Sequence, residues 1–283
     1  MVRLTPGTYV SSADWSGLGP DAQYLALISA ALDRIHATEV LSHWSAAALW
    51  QLPIIGQWPT TVHVTAPADA ARRSTTILTR HRRGLIDPTT SVDRVPLTSL
   101  AETVVDIARV ASFSTALAMG DAALRYHDQQ APSPPSARAF RHELMRVLEG
   151  TVERRGVARA RRVIDAVDGS ADRPGESLSR ATMIEAGVPL PELQHRIVSA
   201  SGKVYYLDFY WPQQNIGADF DGRIKYFDPA FRGGRSVEQV VYDEKVREDD
   251  VRLDLRGYGR WDWTVAGSHR LLVERLRRIG LRW

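Results

Sequence analysis

The sequence predicts an α/β protein built as two domains, and three observations carry that expectation. The chain has 283 residues, so two cores of roughly 130 residues each are the natural division. Apolar residues at helical spacing are interleaved with short runs that alternate like strands. A stretch of proline and small polar residues, Gln129-Gln130-Ala131-Pro132-Ser133-Pro134-Pro135-Ser136, separates two groups of these segments and forbids regular structure. The first group reads as α+β and the second as a small α/β sandwich with a mixed central sheet. The expected bounds are residues 1–130, a basic helical connection over 131–175, and a C-terminal domain over 176–283.

Taken in order, residues 3–10 read as a short hairpin strand. Residues 21–35 carry apolar groups at helical spacing, and residues 42–52 form an Ala-rich helix with Ser42 as N-cap. Residues 61–65 alternate as a strand, with 75–79 as the partner. Ser99-Leu100-Ala101-Glu102 is a capping box, serine and glutamate each reaching a free backbone N–H, and it starts a helix that ends near Val110. A further helix covers 114–127. Past the proline-rich stretch come basic helices over 137–167, a second linker over 168–175, and a helix over 176–186. Gly187 closes that helix, with Pro189 and Pro191 beyond. Residues 194–200, 204–210 and 216–220 read as strands. Ser236 caps a helix running to about Leu255, in which Glu244 and Glu248 fall in the middle of an apolar stripe made by Val237, Val240, Val241, Val251 and Leu255. Acids placed there need partners, and Lys245 and Arg247 flank them. A last strand near 261–265 and a basic helix complete the pattern.

Composition narrows the chemistry. A hydrophobic content of 44% with 24% charged residues is that of a globular chain. The absence of cysteine removes disulfides, thiolate zinc sites and a cysteine nucleophile, and fits a reducing, cytoplasmic location. No long apolar run follows Met1, so neither a signal peptide nor a membrane span is expected. No G-x-S-x-G, P-loop, G-x-G-x-x-G or H-E-x-x-H pattern anchors a serine hydrolase, NTPase, dinucleotide or zincin reading. His43 and His63 have no third ligand nearby in the sequence and read as core or surface histidines. The net charge of +3 is mild, yet eight arginines against three glutamates lie between Arg138 and Arg162. Arg154, Arg155, Arg159, Arg161 and Arg162 are therefore candidate contacts to a nucleic-acid backbone, unless they form a solvated helix face.

The sharpest feature is acidic. Asp208, Asp219 and Asp221 lie among aromatic and aliphatic residues that read as two strands and a turn. A buried carboxylate protonates or finds a cation. A turn about Gln213-Gln214 pairs residues whose numbers sum to roughly 427, setting Asp208 opposite Asp219 with Asp221 on the same face. Cβ atoms so placed are about 4.5 to 5.5 Å apart, and like charges there repel. A divalent cation about 2.0 to 2.6 Å from the oxygens turns that repulsion into a metal site. The other reading leaves both acids wet at a strand end and an edge. Asp221-Gly222 is also a common turn dipeptide, so Asp221 is either a turn former or a ligand.

From residue 176 onward the chain resembles the Vsr-like branch of the PD-(D/E)XK restriction-endonuclease fold. The matching pieces are Glu176-Ser177, Gly187-Val188-Pro189-Leu190-Pro191-Glu192-Leu193-Gln194, Leu207-Asp208-Phe209 before Trp211-Pro212, Asp219-Phe220-Asp221-Gly222-Arg223-Ile224-Lys225-Tyr226, and Glu244-Lys245-Val246-Arg247-Glu248-Asp249. The resemblance implies that Glu176, Asp208 and Asp219 jointly hold Mg²⁺, although an acid at the start of a helix also suits Glu176. Asp221 stands where the family fold normally carries its lysine, so Lys225 or Lys245 would have to supply the ammonium.

Residues 41–125 resemble the body of the AbiEi-type antitoxin family of type IV toxin–antitoxin systems, through Leu41-Ser42-His43-Trp44-Ser45-Ala46-Ala47-Ala48-Leu49, Val62-His63-Val64, Pro96-Leu97-Thr98-Ser99 and Thr103-Val104-Val105-Asp106-Ile107-Ala108. Members of that family usually begin with a winged helix-turn-helix, of which only a wing-like piece before Tyr9-Val10 is recognisable. Together the resemblances imply a DNA-acting protein with a Mg²⁺-dependent endonuclease domain. The alternative they imply is a non-catalytic antitoxin or transcriptional regulator, whose nuclease fold binds DNA or a nucleotidyltransferase-type toxin.

Overall fold

The computed structural model describes residues 1–130, 137–199, 201–222 and 236–283. Helices and strands both contribute to each unit, and the four- and five-stranded sheets are mixed, which places the chain in the α/β class. The chain divides into two compact units, Met1–Gly169 and Ser170–Trp283.

Unit 1 opens with a two-stranded hairpin, β1 (Val2–Thr5) and β2 (Thr8–Val10), followed by helices α1 (Ser12–Gly17) and α2 (Pro20–Ala31). The predicted helix over 21–35 stops at Ala31, and a 3₁₀ turn, Leu32–Arg34, takes over. Strand β3 (Val40–Leu41), helix α3 (His43–Leu49), and strands β4 (Val62–Ala66), β5 (Leu78–Arg82), β6 (Thr90–Val92) and β7 (Val95–Leu97) follow. The strands form one sheet in the order β5-β4-β3-β7-β6, with β4 and β5 parallel. Its core joins Leu41, Val62, Val64, Leu78 and Leu97 to Tyr24 and Ile28 of α2 and Ala46 and Ala48 of α3.

Helices α4 (Leu100–Val110), α5 (Phe113–Gln130), α6 (Ala137–Gly150) and α7 (Val157–Ala166) pack together. Half of the expected capping box forms. Ser99 Oγ accepts from the Glu102 N–H at 3.1 Å, but the Glu102 carboxylate turns away to Arg83 at 2.8 Å and to the Asp87 N–H at 3.1 Å. A buried guanidinium competes better for that carboxylate than one backbone donor. The basic helices over 137–167 are also more than a connection. Phe140, Leu144, Val147, Ala160, Val163 and Ile164 are buried, so α6 and α7 belong to unit 1 and the division falls after Gly169.

Unit 2 begins with α8 (Pro174–Glu185), whose end is a Schellman turn: Gly187, at φ +67°, donates to Ile184 O at 3.4 Å and Val188 donates to Met183 O at 2.9 Å. Strands β8 (Glu192–Val198), β9 (Val204–Trp211) and β10 (Ile216–Phe220) form a meander. Helix α9 (Val237–Arg252), capped by Ser236, then leads to β11 (Gly257–Trp261), which lies parallel to β10 and gives the order β11-β10-β9-β8. The predicted strand over 261–265 ends at Trp261, because Asp262 accepts from the Thr264 and Val265 N–H groups and caps a short helix, α10 (Trp263–Ala266). Helix α11 (His269–Arg278) follows. Among the described residues no helix is long and apolar enough to cross a membrane.

The close approach of α8 to the hairpin depends on Gly175, where a Cβ would lie 2.1 Å from the Phe220 ring. Gly175→Ala is predicted to destabilise unit 2 by about 1 to 3 kcal/mol through overpacking, measured as lost amide-exchange protection in β9 and β10. Unchanged protection would show that α8 does not need this contact.

Candidate functional site

The β9–β10 pairing follows the expected register: Ile216 faces Trp211, Gly217 faces Tyr210 and Ala218 faces Phe209. Beyond the last of these pairs the carboxylates take over from the backbone ladder. The Asp208 N–H donates to Asp219 Oδ1 at 3.1 Å, and the Phe220 N–H donates to Asp208 Oδ2 at 2.7 Å. Each acid thus accepts a bond from the opposite strand, and this relieves part of the repulsion anticipated between them.

A third strand contributes a residue that the sequence reading passed over. Gln194 on β8 has φ +49°, a left-handed conformation that costs energy in a non-glycine residue. Its Nε2 donates to Asp208 Oδ1 at 3.1 Å and to Glu176 Oε2 at 3.2 Å. Glu176 is 2% exposed at the start of α8, and its Oε2 also accepts the Asp172 N–H at 2.8 Å, so its helix-end role and its place in the cleft coexist. One amide therefore joins carboxylates that lie 32 residues apart in sequence.

Asp219 is neutralised differently. Its Oδ2 accepts from Arg247 Nη1 at 2.6 Å and from the Tyr258 hydroxyl at 2.6 Å. Burial opposes the Arg247 charge, but the Asp219 carboxylate outweighs it and raises the guanidinium further above its ordinary value. Burial and the same carboxylate push the Tyr258 phenol upward, keeping it a donor. Arg260 on β11 pairs with Glu244 at 2.8 Å, with Asp221 at 3.4 Å and with Glu248 at 3.6 Å. These contacts supply the partners that Glu244 and Glu248 needed, and they come from a neighbouring strand. Asp221 Oδ1 is a buried oxygen with no hydrogen-bond partner among the described residues.

The acids and arginines line a cleft of about 280 Å³. Five carboxylates, those of Asp172, Glu176, Asp208, Asp219 and Glu244, face three guanidinium groups, those of Arg173, Arg247 and Arg260. Burial and the neighbouring Asp208 charge raise the Glu176 carboxyl to about 8. Lys245 is exposed and does not line the cleft, and Lys225 lies outside the described residues. Among the described residues no group of three or more acids and histidines is arranged to hold a metal ion. Glu176 and Asp208 meet on the Gln194 amide in this cleft, and Mg²⁺ is commonly held by one or two carboxylates together with phosphate oxygens and water.

The five arginines expected to contact nucleic acid all belong to unit 1. Arg154, Arg155, Arg159, Arg161 and Arg162 are exposed. Two of them have work within the fold: Arg159 Nη1 donates to Val110 O at 3.2 Å, and the Arg162 guanidinium lies 4.3 Å from the Phe113 ring centre. His43 and His63 do have a third histidine beside them, His81 of β5, which sequence distance concealed.

Comparison with known proteins gives relatives without an assigned role. Two uncharacterized proteins from two strains of Mycobacterium tuberculosis are each 35% identical to the chain over 133 residues. The match covers 47% of this chain and 45% of each relative, so the chain spans less than half the length of these curated relatives. No protein-family model matches the chain. No solved structure matches it significantly.

The Glu176 carboxyl gives a signed prediction. Unfolded, it titrates near its ordinary 4.5, and folded near 8, so between these values the folded chain keeps a proton that the unfolded chain has released. Stability from this group is complete below pH 4.5 and is lost as pH rises toward 8. In the presence of a chelator, Glu176→Gln should remove this decline, gaining about 1 to 3 kcal/mol relative to the unchanged chain between pH 5 and pH 8. Urea unfolding across that range checks it, and parallel pH profiles for the two proteins would contradict it.

Proposed function

We propose that the chain acts on DNA and that unit 2 is a Mg²⁺-dependent phosphodiesterase of the PD-(D/E)XK type. The observation that supports this reading is the convergence of Glu176 and Asp208 on the Gln194 amide, in a cleft whose carboxylates outnumber its guanidinium groups by two. Such a cleft repels a polyanion unless a cation enters first, and one divalent ion offsets the excess. Glu176 and Asp208 would hold it; Asp221, which pairs with Arg260, is not among the residues lining the cleft. Bound there, Mg²⁺ supplies a Lewis acid for the phosphate and a water of lowered pKa. Gln194 orients both carboxylates, at the expense of a strained backbone. Asp219 is a positioning residue in this account: together with Tyr258 it holds Arg247 at the cleft, where a guanidinium can receive a phosphate oxygen.

One observation favours a second reading. Asp219 carries an arginine and a tyrosine hydroxyl in place of an open coordination position, and no lysine lines the cleft among the described residues. A unit so neutralised by its own side chains suits a non-catalytic, AbiEi-like antitoxin or regulator that binds DNA or a nucleotidyltransferase-type toxin.

Incubation of the purified chain with supercoiled plasmid separates the two. The phosphodiesterase reading predicts nicking that requires Mg²⁺ and falls by about 100-fold or more in Asp208→Asn and in Glu176→Gln. Salt-dependent DNA binding with no cleavage under any metal condition would leave the second reading.

A further inference from the structure

Unit 1 contains a pocket of about 320 Å³ whose chemistry is the reverse of the cleft's. Two imidazoles, His43 and His81, form one wall, and Arg109, Arg155 and Arg159 stand around it with a single carboxylate, Glu153. The wall is built with care for the ring positions. His43 is 4% exposed and opens α3 at φ +50°, a strained conformation for a non-glycine residue. Its ring stacks on His81 with centroids 3.5 Å apart, and His81 Nε2 lies 3.1 Å from His63 Nδ1. His43 Nδ1 lies 3.0 Å from Ser42 Oγ and 3.3 Å from Asp106 Oδ2. Burial pulls the Asp106 carboxyl up, but two Arg83 bonds at 2.7 Å favour its charged form.

Nδ1 faces two oxygens, Ser42 Oγ and Asp106 Oδ2, so a ring proton on Nδ1 has an acceptor, and Nε2 is then a lone-pair acceptor. No hydrogen bond takes that nitrogen among the described residues. The opposite wall is pressed tightly into place: Gly156, at φ +80°, begins α7 with its Cβ position 2.4 Å from Arg109 O, and α7 presents its positive end without a side-chain cap. Arg109 donates to Arg155 O and Glu153 O at 2.9 and 3.0 Å, which fixes that loop over the histidines.

We propose that this pocket binds a phosphoryl group, carried by a phosphate monoester or by inorganic phosphate in its singly protonated form. The guanidinium groups and the helix end receive the charged oxygens, and the P–O–H donates to His43 Nε2. Arg83, Arg109, His63 and His81 face His43 and, after burial itself, hold it in its neutral, accepting state; Asp106 opposes them. Burial, Arg83 and Arg109 likewise keep His81 neutral, against Glu153. One proton therefore enters the complex with each ligand.

Isothermal titration of the full chain with inorganic phosphate tests this. Saturable binding is expected at pH 7, where HPO₄²⁻ still carries the P–O–H the site needs, whereas a monoester such as phenyl phosphate should weaken toward tenfold per pH unit above pH 7, its own P–O–H having ionised. The charge reversal Arg155→Glu, on an exposed side chain, should weaken it by about tenfold or more, and His43→Asn should abolish it. If His43→Asn does not fold, Arg155→Glu decides. A nucleoside 5′-monophosphate that binds more tightly than inorganic phosphate would assign the site to small nucleotides. Preference for a 5′-phosphorylated over a 5′-hydroxyl oligonucleotide, lost in Arg155→Glu, would assign it to nucleic-acid ends. No saturable phosphate binding, monoester binding that strengthens above pH 7, or binding indifferent to Arg155→Glu would overturn the proposal.

Discussion

Two carboxylates placed on adjacent strands, with a third from a helix close by, cannot all remain charged and unbonded in a protein interior. Unit 2 answers with three devices. Asp208 and Asp219 accept backbone N–H groups across the hairpin, Arg247 and Tyr258 neutralise Asp219, and Glu176 binds a proton near neutral pH. Each device shapes something larger. The first ends the regular ladder at Ala218, the second orients α9 through Arg247, and the third ties α8 to β8 through Gln194. Gly175 lets α8 come close enough for the third.

The hairpin was readable from the sequence because strand register is arithmetic. A turn at Gln213-Gln214 fixes the partners of every residue on both arms, and the observed pairs obey it. The same arithmetic applied to a turn near Ser201-Gly202 aligns Gln194 with Asp208, since Leu193 faces Phe209 and His195 faces Leu207. That signal was present, but an isolated amide in a strand draws no attention, and its left-handed backbone leaves no mark in composition. The acids on the α9 stripe announced that partners were needed without naming Arg260, which arrives from a strand after the helix. The histidine wall was the least legible. His43, His63 and His81 come from a helix and two strands, and only the parallel pairing of β4 with β5 brings His63 and His81 together. The place of α6 and α7 in unit 1 is hard to read for a related reason: their arginine density masks the apolar stripe that buries Phe140, Leu144, Val163 and Ile164.

The two units carry opposite electrostatics. Carboxylates outnumber guanidinium groups in the unit 2 cleft, whereas guanidinium groups outnumber carboxylates in the unit 1 pocket and stand beside two imidazoles. Both contain a non-glycine residue held at positive φ, Gln194 in one and His43 in the other. Strain of this kind persists only where the surroundings over-determine it, and it gathers where side chains must point in one direction. Here each strained residue directs a polar group at its site.

The central claim is that Glu176 and Asp208 together take up Mg²⁺ in the cleft. Calorimetric titration with Mg²⁺ at pH 7, repeated in buffers of different ionisation enthalpy, reads it most directly through the protons exchanged. With the Glu176 carboxyl raised to about 8, the account predicts saturable binding that releases about one proton per ion, and no release from Glu176→Gln. Absence of Mg²⁺ binding, or binding with no proton release from the unchanged chain, would contradict it.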